Sequence, residues 1–287
     1  MDEPAATPRL VKRHRFSTRI WHWVNAVAVI VMLMSGLMIF NAHPRLYWGQ
    51  YGANADPAWL QIGSDAQGGF LKLGSARIGT TGMLGRWSDG EGRVQNRAFP
   101  GWATIPSTYN LAAARRWHFF FAWILGVALM LFLIRALWNR HAQSDLRPRL
   151  RELAPRHLWR EIKDHARLRF PAGEAALRYN SLQKLSYFAV IFVLLPLVIL
   201  TGLTMSPGVN AAWPWVLDLF GGRQSARSIH FIAAVLLALF ILVHVVMVVL
   251  TGPIRQLRAM ITGWYQVPEP KPRLRHPWQV GEEEMGA

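Results

Sequence analysis

Four histidines in this sequence stand within or at the edge of long apolar runs, and their spacing could support metal chemistry. They are His22, His118, His230 and His244. Ionisable side chains are costly in apolar surroundings and usually have a function there. One histidine of this kind, taken alone, is more often a hydrogen-bonding residue between packed helices than a metal ligand. Four such histidines at compatible positions favour metal binding.

The spacing of His230 and His244 predicts two separate sites on one helix. They are 14 residues apart. On an α-helix such residues differ by about 40° around the axis and by about 21 Å along it. One helix face therefore presents two imidazoles at opposite depths. The sequence has no cysteine, which excludes thiolate-held iron–sulfur clusters, disulfides and thioether-attached haem from this chain.

The histidines lie in or beside long apolar stretches, of which the sequence has four. Each stretch has about 20 nearly uncharged residues, which is long enough for the roughly 30 Å hydrocarbon core of a bilayer. We expect membrane-spanning helices at about 18–40, 115–138, 184–206 and 227–250. The predicted fold is an all-α membrane protein, a four-helix transmembrane bundle with a long extracytoplasmic loop between helices 1 and 2. The whole chain, 1–287, is predicted to form one membrane domain.

The formal net charge of +16 could indicate nucleic-acid binding. Most basic residues instead lie before the first span, in the connector 139–183 and in the tail 253–287, which four spans place on one side of the membrane. The positive-inside rule makes that side cytoplasmic. We therefore expect a multi-pass protein of the bacterial cytoplasmic (inner) membrane. Its N and C termini are expected in the cytoplasm, its loop 41–114 outside, and no nucleic acid among its partners.

This topology sorts the histidines into two pairs by depth. His22 is expected near His244 at the inner side, and His118 near His230 at the outer side. Each pair could supply two axial imidazoles to one haem iron, which predicts two b haems stacked across the bilayer. His22 is expected closer to the inner surface than His244, a difference that helix tilt could absorb. His43 is a rival outer ligand, although its position in a loop favours a surface histidine.

Basic residues near the predicted ligands are candidates for binding the haem propionates. Arg19 is expected on the inner side, and Arg116 and Arg227 on the outer side. Propionates are anionic and favour cationic partners near the membrane surface. The alternative is that each arginine extends to the lipid headgroups as an ordinary topology charge.

The loop 41–114 is rich in glycine and aromatic residues, which predicts turns and short strands rather than a further span. A loop of this length usually has a function or is disordered, and the aromatic content argues against disorder. It is expected either to dock an extracytoplasmic redox protein or to cap the membrane surface. In the connector, residues 157–170 alternate apolar and basic residues at helical spacing, which predicts an amphipathic helix at the interface.

Several motifs resemble those of a known family. They are Arg19–Asn25, Tyr179–Lys184, the pair His230 and His244, Phe99–Pro106, and Ala114–Phe121. The first three resemble the bacterial cytochrome b561 family, which includes the cytochrome b subunits of nickel–iron hydrogenases and of membrane-bound formate dehydrogenases. The last two look most like members that accompany periplasmic molybdopterin enzymes, such as thiosulfate-reductase-type cytochromes. The long first loop departs from the compact loops of the hydrogenase subunits.

The resemblance implies a quinone-linked redox subunit with two haem b groups, whose iron ligands match the four histidines above. Asn180 and Gln183 match the family motif where the formate dehydrogenase relatives bind quinone. The local alternative is that Asn180 caps the third helix and Gln183 meets lipid headgroups. The implied function is electron transfer between membrane quinone or quinol and a periplasmic redox partner, a molybdopterin oxidoreductase or hydrogenase-like enzyme. The chain itself would be the electron-transfer subunit of that oxidoreductase complex.

Two other classes of function remain open at this point. A transporter could use intramembrane histidines to relay protons, but the sequence shows no inverted repeat and no polar face lining a path. A haem-free membrane anchor for an outside enzyme would suit the long loop. A haem absorbance band would separate both alternatives from the cytochrome.

Overall fold

The computed structural model of the chain describes residues 9–138, 154–167 and 180–267, and most of these residues are helical. Four helices in this part of the chain are long and apolar enough to cross a membrane. They are Phe16–Phe40, Leu111–Ala136, Ser181–Thr204 and Arg223–Leu250. The prediction of a mainly helical protein with four apolar spans is confirmed. The outside location of the first loop stays a prediction.

The elements follow one another in a simple order. They are β1 (Leu10–Lys12), α1 (Phe16–Phe40), β2 (Arg45–Leu46), β3 (Leu60–Asp65), β4 (Gly68–Leu73), β5 (Ala76–Gly79), β6 (Trp87–Ser88), β7 (Val94–Gln95), α2 (Leu111–Trp138), α3 (Pro155–Ala166), α4 (Ser181–Ala189), α5 (Leu195–Thr204), α6 (Pro207–Ala212), α7 (Trp215–Asp218), α8 (Arg223–Leu250), α9 (Pro253–Thr262) and β8 (Trp264–Gln266). A short 3-10 helix, Gly101–Ala103, precedes α2.

The predicted connector and tail are described only in part. α3 covers most of the amphipathic helix predicted at 157–170, and residues 168–170 lie outside the described residues, as does Tyr179 of the family motif. The contacts divide the chain into two compact units. The larger unit comprises 20–147 and 185–246, and the smaller comprises 1–19, 148–184 and 247–287. All four histidines of the predicted pairs belong to the larger unit.

The third span contains a wide helical turn just before a proline. α4 and α5 are joined by a π-helical segment, Val190–Leu194, and Pro196 stands in the first turn of α5. Pro196 has no N–H to donate to the preceding turn, and its ring crowds the carbonyl four residues earlier. A π-helical turn moves that carbonyl away and keeps the helix continuous. The proline therefore alters the third span without ending it.

The loop between α1 and α2 folds as a small β structure. Strands β2 to β5 form a four-stranded antiparallel sheet in sequence order, in which Leu60 pairs with Leu73. A Cβ on Gly85, whose φ is 75°, would lie only 2.0 Å from the carbonyl oxygen of Gly63, so glycine is required at this close approach. One side of the sheet packs into an apolar cluster of Phe40, Leu46, Leu60, Ile62 and Ala98.

Hydrogen bonds attach this loop to the start of α8. The carbonyl of Gly49 accepts the backbone N–H of Ser225 at 3.1 Å, and the hydroxyl of Ser225 accepts the N–H of Gly49 at 2.7 Å. The first N–H groups of a helix have no partner within the helix. Gly49 therefore provides the acceptor for one of these N–H groups, that of Ser225, which lies five residues before His230.

Candidate metal centres

His118 of α2 and His230 of α8 form a close pair at the outer end of the predicted bundle. Their ring centroids are 6.3 Å apart, and the ring planes lie at 61°. Ala114 and Ala226, one helical turn before each histidine, are fully buried. Small side chains at these positions let neighbouring helices approach closely. The two imidazoles that were predicted to share a site therefore lie together.

His22 of α1 and His244 of α8 form a second pair. Their ring centroids are also 6.3 Å apart, and the ring planes lie at 55°. Phe240, one turn before His244, stacks on the His244 ring at 5.9 Å, and Trp23 meets the His22 ring edge-on at 5.2 Å. The difference in depth expected from the sequence does not separate these two rings.

The separation within each pair fits a metal ion held between two imidazoles. An imidazole nitrogen binds a transition metal at about 2.0 Å. The radius of a five-membered ring with bonds of about 1.33 Å is about 1.1 Å, so two rings on opposite sides of one metal would have centroids about 6.2 Å apart. The observed 6.3 Å agrees in both pairs. Among the described residues, no group of three or more histidine, aspartate or glutamate side chains could hold an ion. Two axial nitrogens suit an iron whose other four ligands come from a macrocycle.

In each ring of the outer pair, one nitrogen already has a hydrogen-bond partner within the protein. Nδ1 of His118 lies 3.1 Å from the hydroxyl of Ser35 and 3.2 Å from the carbonyl oxygen of Met32. Nδ1 of His230 lies 3.1 Å from the hydroxyl of Thr201. Metal-binding histidines usually donate the second ring N–H to an oxygen in this way. This arrangement leaves Nε2 of both rings for a metal.

In the inner pair, the ring of His22 has a buried nitrogen that no protein group satisfies. Nδ1 of His22 makes no hydrogen bond within the part of the chain that the structure describes. A buried polar atom without a partner costs about 1–3 kcal/mol in the folded protein. Among the described residues, His22 therefore lacks the oxygen acceptor that contacts Nδ1 of each outer histidine.

Apolar side chains fill the interior of the larger unit between the two pairs. Ala28, Leu125, Leu129 and Leu237 are each at least 95% buried in a cluster that joins α1, α2 and α8. On α8 the two histidines are about 21 Å apart along the axis. The two centres thus lie at opposite ends of an apolar interior, which would exclude water and ions from the space between them.

Arg227 stands close to the outer pair. It lies three residues before His230, about 60° away around the helix. Its guanidinium donates a hydrogen bond to the carbonyl of His43 and lies 5.6 Å above the ring of Phe40. The side chain is partly buried. The predicted contact with a propionate stays a prediction at this position.

The other two arginines have different surroundings. Arg116 is about 160° around the helix from His118. It is exposed and lines a shallow surface groove with Trp117. Arg19 belongs to the smaller unit, where its guanidinium donates to the carbonyl of Ile261. The binding of haem propionates by these two arginines also stays a prediction. The position of Arg116 beside a surface groove suits the alternative that it extends toward lipid headgroups.

Asn180 and Gln183 form a reciprocal cap at the start of α4. The side-chain oxygen of Asn180 accepts the backbone N–H of Gln183 at 2.8 Å, and that of Gln183 accepts the N–H of Asn180 at 3.4 Å. The carboxylate of Glu161 accepts the N–H groups of Ser181 and Leu182 at 3.2 and 2.8 Å. Such caps satisfy N–H groups that the helix leaves unpaired. Both residues thus have a structural role, and their role in binding quinone stays a prediction.

His43 has its partners outside the two pairs. Its Nε2 lies 3.2 Å from the hydroxyl of Tyr47, and the two rings stack at 5.7 Å. The Tyr47 hydroxyl donates to the carbonyl of Ala53 at 2.8 Å, so it accepts from His43. His43 is held as part of the loop, which favours the surface histidine over the rival ligand.

Comparison with known proteins decides between these classes of membrane protein. A family model described as prokaryotic cytochrome b561 matches residues 13–263, most of the chain. The chain belongs to the prokaryotic cytochrome b561 family. Membership makes this cytochrome a haem-containing membrane protein of electron transfer, and the family's cofactor is haem b. The resemblance seen in the sequence is confirmed.

The cytochrome is also similar to a protein of Azospira oryzae named putative protein-methionine-sulfoxide reductase subunit YedZ1. The two are 26% identical over 246 residues, which are 85% of this chain and 93% of the relative. The similarity therefore extends over nearly all of both proteins.

Sequence reasoning missed Ser35 and Thr201, the hydroxyl groups that contact the outer histidines. A serine or threonine in an apolar helix usually bonds to its own backbone, and both do so here. Ser35 donates to the carbonyl of Val31 at 2.7 Å, and Thr201 to that of Leu197 at 2.6 Å. The signal that could have found them is the glycine that follows each one in the sequence.

Proposed function

We propose that the cytochrome binds two haem b groups, with axial ligands His22 and His244 at the inner site and His118 and His230 at the outer site. The observation that carries this proposal is the equal separation of 6.3 Å between the ring centroids of both pairs. Two independent pairs at the separation expected for one bound iron are hard to reconcile with ordinary helix packing.

The protein groups at each centre suit electron transfer rather than chemistry on a bound substrate. Haem b, when bound, supplies a one-electron iron couple. With two imidazole ligands from the protein, a bound haem iron would have no open position for oxygen or another substrate. The residues of the chain hold and space the ligands, and the apolar interior between the pairs keeps water away. The protein therefore sets ligation, spacing and burial.

The proposed electron donor or acceptor on the inner side is membrane quinone or quinol. The family resemblance supports this proposal, together with Asn180 and Gln183, which match the quinone motif of the formate dehydrogenase relatives. The basic residues near both ends of the sequence support a protein of the bacterial inner membrane with cytoplasmic termini. Quinol oxidation gives two electrons and two protons, so one quinol would reduce both centres once. The opposite direction, quinone reduction, is equally allowed by these groups.

The proposed partner on the outer side is a redox protein that docks on the loop 41–114. Aromatic side chains that interfaces favour are exposed there, among them Tyr51 (89% exposed) and Trp102 (83%). The loop is attached to α8 close to His230, so a docked protein would be near the outer pair. The partner class that the resemblance implies is a periplasmic molybdopterin oxidoreductase or a hydrogenase-like enzyme. The relative's name adds a methionine-sulfoxide reductase to that class.

The test is the reduction of purified cytochrome by menadiol, a soluble quinol, followed at the haem α band and compared with reduction by dithionite. We expect both reductants to reduce the wild type. Asn180→Ser keeps a residue that can cap α4 but removes the amide, and it should slow menadiol alone. Full reduction by dithionite with none by menadiol would contradict the quinone link and leave the two-haem proposal standing.

A second measurement tests transfer across the membrane. Vesicles containing the cytochrome and trapped ferricyanide are treated with dithionite from outside, and the loss of ferricyanide absorbance is recorded. Wild-type vesicles should lose it many-fold faster than vesicles without protein. His118→Ala and His244→Ala should each abolish the difference, because each removes one of the two centres. His43→Ala is the matched control and should behave as the wild type.

A further inference from the structure

The two outer histidines share one feature, a contact between Nδ1 of the ring and a buried hydroxyl group. Ser35, on α1, is fully buried, and its hydroxyl donates to the carbonyl of Val31 at 2.7 Å. Its only proton is then used, so the oxygen acts as acceptor toward Nδ1 of His118 at 3.1 Å. The carbonyl of Met32 accepts from the same nitrogen at 3.2 Å. Two acceptors on Nδ1 place the ring proton there and the lone pair on Nε2.

The same set of contacts holds the second outer ring. Thr201, on α5, is fully buried, and its hydroxyl donates to the carbonyl of Leu197 at 2.6 Å. The oxygen then accepts from Nδ1 of His230 at 3.1 Å. In both cases a buried hydroxyl on one span accepts from Nδ1 of an imidazole on another span.

A glycine follows each hydroxyl residue and touches the same ring. A Cβ on Gly36 would lie 3.4 Å from Cε1 of His118, and a Cβ on Gly202 would lie 3.3 Å from Cε1 of His230. The hydroxyl fixes the ring nitrogen, and the missing side chain makes room for the ring edge. One imidazole therefore contacts both residues of each Ser/Thr-Gly pair. We call the two pairs, Ser35-Gly36 and Thr201-Gly202, the seats of the outer histidines.

The two seats and their histidines are parts of a short internal repeat in the sequence. Ser35-Gly36-Leu37 on α1 corresponds to Thr201-Gly202-Leu203 on α5, and Ala114-Arg115 with His118-Phe119 on α2 corresponds to Ala226-Arg227 with His230-Phe231 on α8. The repeat is direct, because each hydroxyl helix precedes its histidine helix in the chain. It is not the inverted repeat typical of transporters.

We propose that Ser35 and Thr201 are positioning residues for the outer haem, which fix the Nδ1–H tautomer and the ring plane of its two axial ligands. The proposal rests on the assignment of His118 and His230 as those ligands. Hydrogen bonds from Nδ1–H to an acceptor increase the basicity of the imidazole toward the metal and stabilise ferric iron relative to ferrous iron. The inner ligand His22 has no such partner among the described residues. The two seats therefore act on one haem alone.

The test compares Thr201→Val, which keeps the shape but removes the hydroxyl, with Thr201→Ser, which keeps the hydroxyl, alongside Ser35→Ala. The readouts are haem content, the midpoint potential of each haem, and the EPR signal of the oxidised protein. We expect Thr201→Val and Ser35→Ala to move the midpoint of the outer haem to a more positive potential and to shift its largest g value. The inner haem should stay unchanged. Thr201→Ser should match the wild type.

The double variant Ser35→Ala/Thr201→Val should shift the outer midpoint further than either single variant, since each residue acts on a different ligand of the same haem. Thr251→Val is the control for removing a hydroxyl that bonds to its own backbone, because the hydroxyl of Thr251 donates to the carbonyl of Met247 at 2.7 Å in the same way. It should leave both haems unchanged. His118→Ala, which should lose one haem, identifies the outer signal.

Unchanged potentials and EPR signals in both hydroxyl variants would overturn the positioning role, and loss of one haem in His118→Ala would still support the ligand pair. Retention of both haems in His118→Ala and in His230→Ala would instead overturn the proposed ligation. Loss of the outer haem in Thr201→Val with its retention in Thr201→Ser would support the positioning role. Loss in both would overturn it, because packing rather than the hydroxyl would then be responsible.

Discussion

The indole N–H of Trp59 donates a 3.0 Å hydrogen bond to the hydroxyl of Ser228, two residues before the proposed ligand His230. Ser228 is fully buried and donates in turn to the carbonyl of Tyr47 at 2.6 Å. One hydroxyl thus joins two points of the first loop to the helical turn that presents the outer imidazole. The proposed docking surface and the outer centre are parts of one connected structure.

Replacing Ser228 with alanine should therefore destabilise the loop. Ser228→Ala leaves the partly buried indole N–H of Trp59 and the Tyr47 carbonyl without their partner, which should lower the free energy of unfolding by about 1–3 kcal/mol. Tryptophan fluorescence during chemical unfolding in detergent measures it. Ser88→Ala is the control, because Ser88 is exposed in β6 of the same loop. An equal, small effect of both substitutions would contradict the role of this hydroxyl.

Gly202→Ala should disturb the outer centre without weakening its helix. The new Cβ would lie 3.3 Å from Cε1 of His230, so the ring must shift by a few tenths of an ångström. Alanine is a better helix former than glycine by about 1 kcal/mol, so α5 itself should not be destabilised. The expected result is a changed EPR signal or partial loss of one haem. Gly208→Ala in α6 has open space around it and should have no effect on either haem.

The cap of α4 predicts a difference between two substitutions at one position. Asn180→Ala removes the acceptor for the backbone N–H of Gln183 and should cost about 1 kcal/mol of stability. Asn180→Ser keeps an oxygen that can accept the same hydrogen bond, so this variant should retain most of that stability. Limited proteolysis of the detergent-solubilised protein, read as the rate of cleavage near 180, would measure the difference. Equal cleavage rates for the two variants would contradict the cap.

His43 predicts a dependence of loop stability on pH. Burial, with the charges of Arg227 and Arg45, lowers the pKa of His43 from its ordinary value of 6.5. The unfolded chain therefore binds the proton more readily than the folded protein does. The contribution of neutral His43 to the free energy of unfolding is fully present above pH 6.5. It is lost as the pH falls through the lowered pKa.

The measurement is the unfolding midpoint of the wild type and of His43→Gln, which cannot titrate, between pH 7.5 and 5. The wild type should lose stability relative to His43→Gln as the pH falls below 6.5. Parallel pH profiles for the two proteins would show that the His43 pKa is not lowered in the folded state.

The four spans could be predicted from the sequence because an apolar run of about 20 residues has few structures open to it in a bilayer. The spacing of His230 and His244 also depends only on the geometry of one helix. Predicting that His22 pairs with His244 also required the membrane topology. That topology was inferred from the distribution of arginines. These features depend on composition and on local geometry.

The seats of the outer histidines could not be predicted in the same way. The contact of Ser35 with His118 joins two spans, and it depends on how each helix is rotated about its axis. An apolar helix with a small hydrophobic asymmetry does not define that rotation in its sequence. The π-helical turn before Pro196 is a similar case, because a proline can equally kink or end a helix. The loop strands were expected, but their pairing depends on contacts that single residues do not encode.

The haem content of single histidine variants tests the central proposal most directly. Each variant, purified in mild detergent, is assayed by pyridine haemochrome and by the spectrum of the dithionite-reduced minus the oxidised protein. We predict about two b haems per wild-type chain, in line with two histidine pairs. His22→Ala, His118→Ala, His230→Ala and His244→Ala should each lose one haem, and His43→Ala should keep both. Two haems retained when either member of a pair is removed, or a wild type that binds fewer than two, would contradict the account.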